Sequence, residues 1–218
     1  MRVETGMSLL GSGGLGIKTG NVENGIAGSI DLLAGNSFSS TGGSIRVKTG
    51  GSETSESGSV LIGTASSSKR SGSIEVKTGS GESSGSISVG AGKSSVGLGG
   101  SISIVAGDSS VGIGGSISIL SGSSSVGSGG RISLYSGVGE SGASGKISFR
   151  TGDLSMQNNG NSGAVAIKTG STPLGKSGSV HFVSGNTNDD RSGDLIFEVG
   201  GAHGAGGGGP PRLAAPQP

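Results

Sequence analysis

The chain has 218 residues, of which 51 are glycine, 5 proline and none cysteine. Hydrophobic residues make up 29 %, aromatics 2 % and charged residues 13 %, about half the usual charged share. The lack of cysteine excludes disulfides and thiolate metal sites, and a net charge of +1 leaves no electrostatic pull toward nucleic acid or an anionic membrane.

The first residues, MRVETGMSLLGSGG, contain no apolar core of a signal peptide, and nowhere is there a run of about 20 apolar residues for a membrane span. No Asn-x-Ser/Thr sequon occurs, so any glycosylation of the many Ser and Thr residues would be O-linked. The dominant feature is an internal repeat. It is clearest from Gly85 to Gly152, as GSISVGAG, GSISIVAG, GSISILSG, GRISLYSG and GKISFRTG. Aligned on its closing glycine, the unit recurs 14 times between Gly6 and Gly200 at a mean period of about 15, with Ala65 as one substitute and an insertion at Met156–Ser162.

Each unit carries two apolar residues separated by one position, such as Ile30/Leu32, Ile74/Val76, Ile102/Ile104 and Val180/Phe182. Alternation at period two with β-branched residues is a strand signal. A small residue follows on the same face, as at Thr49, Thr78, Ala91, Ala106 and Ser121. The closing glycine after it suits a corner with positive φ or a close backbone approach. In the linking segments KSSVGLG, DSSVGIG and SSSVGSG, Val96, Val111 and Val126 fall in register and are expected to be a weaker inward position. No stretch has a 3.6-residue period, so no helix is expected.

The pattern predicts an all-β fold: a β-solenoid of about 14 coils with a ~15-residue repeat over residues 1–200, its parallel strands stacked about 4.8 Å apart. An antiparallel β-meander is the alternative. The near-constant period favours the solenoid, as do the outward columns, where Lys18, Lys48 and Lys77 are separated by neutral residues and Asp31 would face Arg46. Met1 begins inside a strand, which reads as a fragment of a longer array or an end that stacks on another chain. Residues 201–218, GAHGAGGGGPPRLAAPQP, lack apolar period and read as a disordered tail.

Chemistry-bearing motifs are sparse. Gly11–Gly16 matches the spacing of a dinucleotide loop, but no helix follows, and chance matches abound among 51 glycines. Calcium-binding β-rolls need Asp where Gly99–Ile104 offers Ser, and Asp189, Asp190 and Asp194 read as solvated loop carboxylates. The two histidines, His181 and His203, have no carboxylate at a consistent neighbouring position. Arg150, Lys168 and Glu198 share a column, the one arrangement that fits a β-helix polysaccharide-cleaving enzyme. No enzyme, cofactor or metal site is expected. The most regular outward feature is a hydroxyl ladder at Ser88, Ser103, Ser118, Ser133 and Ser148, a candidate surface for binding ice or polysaccharide.

The GSISI-x-SG run resembles the Gly/Ser-rich repeat proteins of single-celled algae and related protists, which implies a surface or secreted location. The sequence as a whole points to a structural or adhesive repeat module, a stiff spacer presenting Ser/Thr-rich faces. Ice or polysaccharide binding is the alternative, and a β-helix enzyme the second. Cell-surface or polysaccharide material, and end-to-end or lateral self-association, are the expected partners, with an extracellular or cell-surface location.

Overall fold

The structure is a computed structural model and describes residues 3–6, 11–140, 142–154, 161–188 and 191–200. The chain divides into two units, Met1–Ile104 and Val105–Pro218. Among the described residues there is neither strand nor helix, and no residue is buried. The β-solenoid of 14 coils is therefore overturned, and so is the antiparallel meander. The expected tail, 201–218, lies outside the described residues.

The physical reason is that a period of two reports which way side chains point, not what the backbone pairs with. Glycine lowers the return on ordering such a segment: it loses more conformational freedom than any other residue and offers no side chain to pack. Most segments have only two or three large apolar residues to offset that cost.

The local alternation does persist. Side chains two residues apart meet on the outward side of three segments: Ser29 donates to Asp31 at 3.1 Å, Lys77 to Glu75 at 2.9 Å, and Ser179 lies 2.7 Å from His181. The first apolar residue of each segment from Ile30 to Leu195 is the more covered of the pair, with values between Val180 at 45 % and Val165 at 57 % exposed. The only described residues of intermediate exposure are Thr19, Thr49, Ala106, Ser136, Thr151 and Ser184. All six occupy the small position before the closing glycine. In the second unit, Phe182 and Phe197, second apolar residues of successive segments, meet edge to face with centroids 6.4 Å apart.

Backbone hydrogen bonds instead close the linking loops. The opening glycine of one segment donates to the closing glycine of the segment before it, eight residues back in sequence. Among the described residues six loops are shut this way: Gly43 to Gly35, Gly58 to Gly50, Gly100 to Gly92, Gly115 to Gly107, Gly130 to Gly122 and Gly145 to Gly137, at 2.8–3.1 Å. In these six copies the unit is a segment of alternating side chains followed by a pinched loop, a compact surface excursion whose ends are close together.

The glycine expected at the corner proves to be needed elsewhere. The closing glycines have open space around the Cβ position and no positive φ. The opening glycines of the pinched loops are the crowded ones: a Cβ on Gly100 would lie 2.9 Å from Ala91 Cβ and 3.2 Å from the Gly92 nitrogen. Close approach of two backbones, rather than φ, requires glycine there.

Candidate functional site

The loops and the outward hydroxyls are the two surfaces repeated often enough to form a site. The loops are built by serine. In KSSVGLG, DSSVGIG and SSSVGSG the second residue turns its hydroxyl back over the loop: Ser94, Ser109 and Ser124 Oγ accept from the backbone N–H groups of Gly97, Gly112 and Gly127, each at 2.8 Å. Ser37 accepts from Ser40 at 3.0 Å and Ser52 from Ser55 at 2.9 Å in the equivalent places. A short hydroxyl side chain that bonds its own backbone a few residues on is the standard substitute for a backbone turn.

Among loops of the same length whose residues are all described, two lack this serine. In 21–27 and 171–177 the second residue is Val22 or Thr172, and the fifth is a glycine with positive φ, Gly25 at 133° and Gly175 at 125°. Neither loop carries the closing Gly–Gly bond. The residue before their closing glycine is Thr19 or Thr169, whose γ-methyl would lie 3.6 Å and 3.5 Å from a Cβ on Gly28 and Gly178. In five of the six closed loops that position is Ala or Ser (Ala34, Ala91, Ala106, Ser121, Ser136). The sixth has Thr49, and its bond, at 3.1 Å, is the longest of the set.

The loop valines correct another expectation. Val96, Val111 and Val126 are not inward: they stand 97–98 % exposed at the turned part of the loop, where the chain bends around the serine hydroxyl. The serine pattern itself, Ser-Ser-Val-Gly repeated at 15-residue intervals, was the signal for the turn.

The hydroxyl ladder stands on the outward side of its segments. Ser88 and Ser103 in the first unit, and Ser118, Ser133 and Ser148 in the second, are all exposed, each between the two apolar residues of its segment. No hydrogen bond joins them to one another among the described residues. The threonines at the small position are turned away from such a face, with their methyl groups toward the opening glycines.

The charged column does not converge. Arg150 lies 4.0 Å from Asp153, three residues on in its own chain, and both are highly exposed. Lys168 and Glu198 are exposed as well. Asp31 takes its hydrogen bond from Ser29, and no ion pair links it to Arg46. Lys77 pairs with Glu75 of its own segment. Surface pairs of this kind contribute about 0–1 kcal/mol. His181 has Ser179 as its neighbour; His203 lies outside the described residues. Asp189 and Asp190 are also outside them, and Asp194 is exposed. Among the described residues no group of three or more His, Asp or Glu is placed to hold a metal ion, and no helix is long and apolar enough to cross a membrane. No protein-family model, no curated protein and no solved structure matches the chain.

Proposed function

We propose that the chain is a non-catalytic structural or adhesive repeat module, a spacer that presents serine hydroxyls to cell-surface or polysaccharide material. The observation that carries this reading is repetition of one exposed position. Ser88 and Ser103 in one unit, and Ser118, Ser133 and Ser148 in the other, occupy the same outward place in successive copies and stay in solvent. Exposed hydroxyls both donate and accept, which suits a hydroxylated, uncharged surface. A near-neutral chain with charges of both signs adds little electrostatic preference.

Adhesion to a glycan surface is preferred over ice binding because the repeated outward hydroxyls are serines. The threonine methyls that a threonine-ladder surface needs sit against the opening glycines. The test is co-sedimentation of the full chain with an insoluble cell-wall glycan. Ser88→Tyr, Ser103→Tyr and Ser118→Tyr together should release the protein into the supernatant, while Val96→Tyr, in a loop, should not. Pelleting unchanged by the triple substitution overturns the assignment of this face. Release of soluble sugar, lost on Arg150→Ala, overturns the non-catalytic reading.

A further inference from the structure

The apolar residues of the repeat have no interior to go to. In the first unit, Ile30, Ile45, Val60, Ile74 and Ile87 are half exposed in every segment, and their partners two residues on are more so. Side chains of the same type in the loops at 93–99 and 108–114 stand free, so this column is partly but not fully shielded. A stable dimer buries only about 800 Å² on each partner. Apolar surface left in water costs roughly 25 cal/mol per Å².

We propose that a second copy of this chain covers the apolar column, side chain against side chain. Three observations select that occupant. The column repeats at intervals of 15, 15, 14 and 13 residues, and a partner must match that spacing over several segments to cover each one. A second copy carries the same spacing by construction, so a match at one segment brings the others into place. The chain's net charge of +1, from 15 basic and 14 acidic residues, lets two copies approach without appreciable repulsion. The charged side chains that are paired within a segment, Glu75 with Lys77, lie on the outward side and stay in water on association. This inference concerns the apolar side and stands independently of the hydroxyl face.

Sedimentation equilibrium of the full chain, from low to high micromolar concentration, tests it. The wild type should rise from 20.6 kDa to a plateau at a multiple of that mass. The double variant Ile74→Asp/Ile87→Asp places two unpaired charges in the interface and should weaken association by at least about 100-fold. Ile74→Val/Ile87→Val, which keeps the apolar character, should associate nearly as the wild type does. Val96→Asp, with its side chain already 97 % exposed in a loop, should leave association unchanged. A wild type that stays at 20.6 kDa throughout overturns the proposal. So does growth in mass without a plateau, or equal weakening by Val96→Asp.

Discussion

Two kinds of loop of equal length stand in this chain, and they reach a turn by different means. In 93–99, 108–114 and 123–129 a serine hydroxyl takes the place of a carbonyl, the backbone needs no unusual φ, and the loop is pinched shut between two glycines. In 21–27 and 171–177 the serine is replaced by Val22 or Thr172; a glycine with positive φ makes the turn and the pinch is missing. One polar atom thus substitutes for one backbone conformation, while the residue before the closing glycine governs how near the two strands of the loop come. The loop at 138–144 reaches the pinch by a third route: Gly139 stands where the serine would be, and a Cβ there would lie 2.5 Å from the Ala143 carbonyl oxygen.

The sharpest way to break the comparison is to fill the pinch. Gly115→Val places its Cβ 3.2 Å from both Ala106 Cβ and the Gly107 nitrogen, with further atoms beyond it, so the loop must spring open at a cost of about 1–3 kcal/mol. Amide exchange at residue 115 should then approach the unprotected rate, whereas Gly28→Val, 3.6 Å from its nearest neighbour, should change little. A protected amide in the Gly115 variant would mean that the glycine is not there for close approach.

Next in size is the positive-φ turn. Gly25→Ala and Gly175→Ala force an L-residue into a conformation it rarely adopts, at about 1–3 kcal/mol of local stability. Gly97→Ala, with no positive φ and 3.5 Å of room to Ser94 Oγ, should be close to neutral. Equal responses in chemical shift around residues 25 and 97 would remove the distinction between the loops.

Removing the serine is milder. Ser109→Ala deletes one exposed hydrogen bond of 2.8 Å, worth about 0.5–1.5 kcal/mol. Faster exchange of the Gly112 amide, with Gly97 unaffected, is the expected signature. The smallest effect is an exchange of small residues. Ala106→Thr should lengthen the Gly115 bond and Thr49→Ala should shorten that of Gly58, by a few tenths of a kcal/mol in exchange free energy.

The repeat length, the alternation within a segment and, in six segments, the small residue in a more covered position were legible in the sequence. They are local matters: alternation decides which side chains share a side, and the meeting of Ser29 with Asp31 or Glu75 with Lys77 follows from it. What was not legible is where the backbone bonds go. Ile102 and Ile104 alternate identically whether or not a neighbouring segment pairs with them, so the pattern supports a ladder no better than an unpaired segment. The glycines misled for a related reason. Closing and opening positions are both occupied by glycine, and only the three-dimensional approach of Gly100 to Gly92 separates the required one from the permissive one. The loop valines carried the opposite error, since Val111 shares a register with its counterparts without having anything to pack on.

The pinched loop has a mechanical consequence. Between Gly107 and Gly115 the chain doubles back so that its ends are held 2.8 Å apart at the bonded atoms by a single backbone hydrogen bond. Tension along the chain loads that bond directly, and once it yields, the seven residues of the loop can extend by up to about 3.3–3.6 Å each. Every such loop is a small reserve of length behind a weak latch. Because the latches sit in series and differ only slightly in strength, a stretched chain lengthens in steps, absorbing work at each one before the backbone itself is strained.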